Sequence, residues 1–105
     1  MEKLWLNHYP AGVPADIDPN EFRSITDLFQ ISVLQFRELP AFSNMGTVLS
    51  YDDINRLSRK FAAYLTHEAK LKRGDRIAIM MPNLLQYPVA LFGALRAGLV
   101  VVNTN

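Results

Sequence analysis

Residues 74–105 read GDRIAIMMPNLLQYPVALFGALRAGLVVVNTN, and this stretch decides the fold. The apolar run 76–80 is typical of a short strand that is buried on both faces. A helix follows whose faces are all apolar or small, which predicts that it is buried, and Gly98 is placed as its C-cap. Residues 99–102 form a second apolar run. Together they predict a strand–helix–strand unit with a parallel, right-handed crossover.

The helix of this unit has three features that predict its geometry. Asn83, in the turn Met81-Pro82-Asn83, can cap its N-terminus. Pro88 lies about five positions into the helix, where it would remove one backbone hydrogen bond and could kink the first turn. A stripe of small residues would allow a sheet or a neighbouring helix to approach closely; it consists of Ala90, Gly93, Ala94 and Ala97.

Upstream of this unit, the sequence predicts a helix and then a hairpin. Ser24-Ile25-Thr26-Asp27 resembles a capping box with Asp in place of the usual Glu, and the helix behind it should end before Pro40. Residues 41–50 favour a hairpin that turns at Met45-Gly46. Gly46 permits the positive φ that such a turn needs.

A second helix should follow the hairpin. Ser50-Tyr51-Asp52-Asp53 repeats the capping pattern, and the helix is expected to continue to about Lys70. Its apolar stripe, at helical spacing, consists of Ile54, Leu57, Phe61, Ala62, Leu65 and Ala69. Four side chains fall off this stripe and should be exposed: Arg56, Arg59, Lys60 and His67.

Residues 1–22 are predicted to be an extended N-terminal arm, separate from a partial α/β subdomain at 23–105. Three prolines, at positions 10, 14 and 19, block a continuous helix there. Trp5, Leu6 and Tyr9 could pin the arm to a surface, or the arm could be a mobile terminus; the sequence leaves both open.

The composition excludes several classes of protein. A chain of 105 residues is one domain at most, and its 50% hydrophobic content is too high for a disordered protein. The absence of cysteine excludes disulfides and thiolate metal sites. A net charge of +1 argues against a nucleic-acid binder. No apolar run follows the first residues, so a secretory signal is not expected, and the cytosol is the natural compartment.

Residues with catalytic potential do not form a constellation, so no catalytic, cofactor-binding or metal-binding residue is assigned. Neither GxGxxG nor GxxxxGK[ST] is present, which disfavours a phosphate site where the strand meets the buried helix. His8 and His67 are far apart in the sequence. Asp52 and Asp53 are interpreted as first-turn residues favoured by the helix dipole, and Ser24 and Ser50 as caps.

The motifs of this chain resemble those of adenylate-forming enzymes. The resemblance covers nearly the whole chain and rests on four segments: Leu49-Ser50-Tyr51, Arg73-Gly74-Asp75-Arg76-Ile77, Met81-Pro82-Asn83 and Arg96-Ala97-Gly98. Ser50 departs from the usual Thr but keeps the capping hydroxyl. Within that family, the stretch MMPNLLQYPVALFGALRAG and the opening KLWLNHYPAGVP resemble the bacterial long-chain fatty acid–CoA ligases.

The resemblance implies a fold and an activity. The fold would be the N-terminal part of the large AMP-binding domain, with a β-hairpin, two amphipathic helices, a parallel βαβ unit and an incomplete sheet. The full-length enzyme would use ATP, CoA and Mg²⁺ to activate a long-chain fatty acid. The catalytic motifs of the family lie after the stretch seen here, so the chain alone is expected to be inactive and to bind none of these cofactors. Because its last strand would have an open edge that can pair with another chain, the chain is also expected to self-associate.

Charge distribution adds one further hypothesis. Residues 1–55 carry three Lys/Arg and eight Asp/Glu, whereas residues 56–76 carry seven and two. The basic segment is either a solvated helix face or, as the resemblance suggests, a peripheral contact with the inner membrane, made by Arg56, Arg59, Lys60, Lys70 and Lys72.

Two other functions remain open. One is a stand-alone, non-enzymatic interaction module, which would need a closed core and no exposed sheet edge. The other is a small nucleotide-binding domain, which the missing glycine loop disfavours.

Overall fold

The computed structural model describes all 105 residues. In chain order the elements are a 3-10 helix Leu4–His8, α1 Ile25–Phe36, β1 Pro40–Asn44, β2 Thr47–Ser50, α2 Tyr51–His67, β3 Arg76–Ile79, α3 Gln86–Arg96 and β4 Val100–Asn103. β1 and β2 form an antiparallel hairpin, and β3 and β4 form a separate parallel pair. The predicted mixed α/β architecture with a hairpin and a βαβ unit is confirmed.

The arm at residues 1–22 contains the 3-10 helix where only extended chain was expected. That helix ends before Pro10, and no regular element follows it until α1. Trp5 and Tyr9 are 49% and 42% exposed, whereas Leu6 is half-buried.

The hairpin turns where the sequence predicts. Met45 and Gly46 have φ values of 49° and 80°, so two consecutive residues adopt the left-handed conformation. This is the geometry of a type I′ turn, whose twist matches that of the paired strands. Asn44 pairs with Thr47 directly across it.

The two helix starts are both capped by serine, as predicted. At α1 the Ser24 hydroxyl accepts from the Asp27 N–H at 3.0 Å, but the Asp27 carboxylate accepts from the N–H of Arg23 rather than of Ser24. At α2 the capping box is complete, because Ser50 and Asp53 satisfy each other's N–H groups. α2 ends at His67, about three residues before the expected position.

The βαβ unit closes as a parallel pair in which Arg76 faces Val100 and Ile79 faces Asn103. Gly98 has a φ of 76°, and the N–H groups of Gly98 and Leu99 donate to the carbonyls of Leu95 and Ala94, each at 3.0 Å. These two bonds are those of a Schellman motif. The predicted C-cap is confirmed, and β4 begins one residue later than expected.

Two expectations for the start of α3 are wrong. The helix begins at Gln86 with no side-chain cap, and the carbonyl of Asn83 instead accepts a hydrogen bond from the Asn44 side chain at 3.0 Å. Pro88 is therefore the third residue of the helix. The N–H groups of the first turn have no intrahelical partner, so Pro88 removes no helical hydrogen bond.

The prediction that β3 is buried on both faces is also wrong. Ile79 is buried and Ile77 half-buried, whereas Ala78 is exposed and Met80 is 71% exposed. Val100 and Val102 of β4 are 46% and 43% exposed. α3, together with Leu65 of α2, packs on one face of this strand pair, and the other face remains open.

The core consists of two apolar clusters connected by α2 and α3. Phe29, Val33 and Ile54 form one, and Leu65, Ala94 and Leu99 form the other. Within the small-residue stripe of α3, Gly93 allows α2 to approach closely, and Ala94 packs in the cluster on the side of the β3–β4 pair. A Cβ atom added at Gly93 would lie 2.8 Å from Phe61 Cδ1 and 3.0 Å from the Ser58 carbonyl oxygen.

Gly93→Val should destabilise the chain because its side chain would separate α2 from α3. We expect the free energy of unfolding to fall by about 1–3 kcal/mol, the usual cost of overpacking. Ala63→Val introduces the same β-branched side chain at an exposed site of α2 and serves as the control. Urea denaturation followed by circular dichroism measures both; equal midpoints for the two variants would contradict the close helix contact.

Candidate functional site

The carboxyl ends of β3 and β4 form the kind of edge at which open α/β sheets bind ligands. The Thr104 N–H donates to the Ile79 carbonyl at 3.0 Å, and the Tyr87 hydroxyl donates to the Asn103 side chain at 2.6 Å. A cavity of about 300 Å³ beside this edge is lined by Met80, Met81, Pro82, Thr104 and Asn105. No lining side chain is an acid or a base, so the edge offers contacts but no proton transfer.

The N-terminus of α3 points from the same edge but offers few donors to an anion. The Tyr87 N–H already donates to the Leu84 carbonyl at 3.1 Å, and Pro88 has no N–H. No glycine in the turn allows the backbone to approach a phosphate closely. The geometry therefore does not favour a nucleotide site at this turn.

The two histidines occupy separate elements. His8 ends the 3-10 helix, His67 ends α2, and both are exposed. No three His, Asp or Glu side chains converge in the way that a metal site requires. Neither histidine has a carboxylate partner among the ion pairs of the chain.

The adjacent carboxylates Asp52 and Asp53 lie in the first turn of α2, as predicted. Asp53 accepts hydrogen bonds from the N–H and the hydroxyl of Ser50, each at 3.0 Å, and from Arg56 at 3.2 Å. The backbone bond, then the hydroxyl and then the arginine hold the pKa of Asp53 below its usual value. Asp52 pairs with Arg37 at 3.0 Å, so the two carboxylates hold different partners.

Two motifs that carry the resemblance meet in the structure and have a structural role. The loop glycine Gly74 donates its N–H to the Gly98 carbonyl at 2.9 Å, and the Val100 N–H donates to the Asp75 carbonyl at 2.8 Å. The Asp75 carboxylate also accepts from the Lys72 N–H at 2.8 Å. The loop before β3 is thus tied to the end of α3, and these motifs set the register of the βαβ unit.

A polar cleft between α1, α2 and α3 was missed by the sequence reasoning. It has a volume of about 340 Å³, and we call it the arginine cleft; its lining residues are Gln30, Val33, Leu34, Asn55, Arg59 and Arg96. The available signal was Arg96, the only charged residue of an otherwise apolar helix.

A second, apolar pocket is lined in part by Phe29. Its volume is about 290 Å³, and the stacked rings of Phe29 and Phe92, whose centroids are 4.1 Å apart, form part of its wall. Ser32 is its one lining residue without a hydrophobic side chain. The pocket offers apolar contact and no chemistry of its own.

Comparison with known proteins identifies relatives across the whole chain. The family described as AMP-binding enzyme matches residues 29–105. The long-chain-fatty-acid–CoA ligase of Escherichia coli O6:H1 is 56% identical over all 105 residues, and that of Bacillus subtilis is 35% identical over 104 residues. These matches cover 19% and 18% of the two ligases.

A solved structure shows the same architecture. The Mycobacterium tuberculosis fatty acyl CoA synthetase superposes on 77% of this chain with a TM-score of 0.71 and 26% identity. The superposed part is 16% of the synthetase chain. The chain thus spans about a fifth of the length of the curated relatives that it matches.

Proposed function

This chain belongs to the family of AMP-binding enzymes, and from that membership we propose that it is the N-terminal scaffold segment of a long-chain fatty acid–CoA ligase. The observation that carries the proposal is the 56% identity, over all 105 residues, to a ligase of that activity. The share of that ligase which is matched, 19%, supports a role as one part of a larger domain.

The proposed activity is a two-step activation of a carboxylate. A fatty acid carboxylate is a poor electrophile, so the ligase joins it to the α-phosphate of ATP and releases pyrophosphate. The thiol of CoA then attacks the acyl carbon of this mixed anhydride, and AMP leaves as the thioester forms. Mg²⁺ would neutralise charge on the phosphates. We assign none of these steps to residues 1–105.

The role we assign to this chain is to hold the strands that other parts of the ligase extend and cover. The open face made by Ala78, Met80, Val100 and Val102 supports this role, because parallel strands are found with both faces covered.

The same open surfaces distinguish this proposal from a stand-alone interaction module. Such a module needs a closed core, yet β3 and β4 pair only with each other and each has a free edge. Free edges pair readily with other chains, so we propose that the isolated chain self-associates. Those surfaces favour the scaffold role over the module.

A segment exchange tests the scaffold role. Replacing the matched segment of the Escherichia coli ligase with this chain should give an active enzyme, because we assign no catalytic step to this segment. We expect it to form palmitoyl-CoA within about ten-fold of the parental rate, which corresponds to a barrier change of at most about 1.4 kcal/mol. The isolated chain should release no AMP when it is mixed with ATP, palmitate and CoA.

The control is the same exchange with Gly93→Val in the inserted segment, which should lower the yield of folded enzyme. Turnover by the isolated chain would refute the scaffold role. A soluble, folded exchange enzyme without activity would refute the equivalence of the two segments.

We further propose that the ligase is cytoplasmic and contacts the inner membrane peripherally. No helix of the structure is long and apolar enough to cross a membrane. The support for contact is a set of exposed cations on and after α2: Arg56, Arg59, Lys60, Lys70 and Lys72. Each basic side chain near an anionic surface contributes about 1 kcal/mol.

Co-sedimentation with anionic vesicles measures this contact. Replacing the five cations by glutamine should release the chain at low salt, whereas the wild type should stay bound and dissociate as salt is raised. Neutral vesicles provide the control. Equal binding of both proteins to anionic vesicles at low salt would overturn the proposal.

A further inference from the structure

Arg96 is a half-buried cation that no carboxylate compensates. Its Nη2 donates to the Asn55 side-chain oxygen, and its guanidinium lies 5.4 Å from the centroid of the Phe29 ring. Its Nε is buried and has no hydrogen-bond partner. A desolvated charge is costly unless an opposite charge stands near it, so this position calls for an anion.

The helices that form the arginine cleft have no carboxylate left to supply that anion. α3 contains no acidic residue, and every acid of α1 and α2 already pairs with another arginine. The pairs are Asp27 with Arg23 at 3.1 Å, Asp52 with Arg37 at 3.0 Å and Asp53 with Arg56 at 3.2 Å. The cleft contains two arginines, Arg59 and Arg96, and neither of them is in an ion pair.

Every polar side chain that lines the cleft can donate hydrogen bonds. Arg59 and Arg96 supply guanidinium N–H groups, and Gln30 and Asn55 supply side-chain amides. Because the Asn55 oxygen is already held by Arg96, its NH₂ group is the part that remains to donate. Burial lowers the pKa of Arg96, and the charge of nearby Arg59 lowers it further, which is the effect expected of two cations without an anion between them.

We propose that the arginine cleft binds an oxyanion of the phosphate class. Two guanidiniums with amide donors around them match a tetrahedral anion with several acceptor oxygens, and arginine is the side chain best suited to such recognition. A volume of about 340 Å³ accommodates a phosphate group together with part of the molecule that carries it. The cleft lies away from the strand ends, and the proposal does not depend on the ligase activity.

Titration of the 105-residue chain with sodium phosphate, against sodium chloride at equal ionic strength, tests this site. Amide and guanidinium resonances in NMR spectra report both binding and folding. We expect saturable shifts at Arg96 and Asn55. Arg59→Gln should weaken phosphate binding about ten-fold, because it removes one charge-assisted contact. Lys60→Gln removes the same charge from the same helix outside the cleft and should leave the binding of free phosphate unchanged.

Arg96→Gln should weaken binding at least as much as Arg59→Gln. Arg59 is exposed and makes no hydrogen bond, so Arg59→Gln remains informative even if the Arg96 variant fails to fold. A second arm uses phosphatidylcholine vesicles with and without phosphatidic acid. Binding of free phosphate that depends on Arg59 supports a soluble ligand. Binding to phosphatidic acid vesicles that Arg59→Gln weakens more than Lys60→Gln does supports a lipid headgroup.

Two results would overturn the proposal. One is the absence of saturable binding in both arms. The other is an equal loss of phosphate binding in the Arg59→Gln and Lys60→Gln variants, since that would show that the anion is attracted to positive charge in general and not to the cleft.

Discussion

The close contact between α2 and α3 is the interaction on which the rest of the structure depends. Gly93 lets the Phe61 ring and the Ser58 carbonyl approach the backbone of α3. With α3 fixed in this way, Ala94 and Leu99 join Leu65 in one cluster, and the β3–β4 pair is covered on the α3 side. Burial of a side chain such as Leu99 contributes about 1.5–3 kcal/mol, so loss of this contact would release much of the small core.

The sequence predicts well the features that are determined locally. The hairpin turn, the serine caps and the Schellman motif at Gly98 each depend on a few adjacent residues whose φ values or side-chain oxygens decide the outcome. Asn83 shows the limit of such reasoning. A capping residue in the right place does not cap here, because its carbonyl is held by Asn44 from the hairpin and the helix starts later.

Features that arise from packing were predicted less well, for a physical reason. Whether a face of β3 is open depends on which other elements pack against it. The apolar residues at 77–80 do not by themselves indicate which elements those are. The arginine cleft combines Gln30, Asn55, Arg59 and Arg96, which lie on three helices and meet only when those helices pack. The residue pattern of a single helix does not predict the cleft; the one indication in the sequence is the isolated charge of Arg96 in α3.

The motifs that identify the family hold the chain in shape. The loop at Gly74 is bonded to the C-cap at Gly98, and Ser50 caps the helix that carries the Phe61 contact. Residues with a structural role thus contribute to the match with AMP-binding enzymes over residues 29–105.

Sedimentation equilibrium of the isolated 105-residue chain tests the central claim, that these strands are built to be extended and covered. The account predicts reversible dimers or larger species at micromolar concentration, because the free edges of β3 and β4 and their open apolar face find partners in other copies. A strict monomer at all concentrations, with a single cooperative thermal transition, would contradict it.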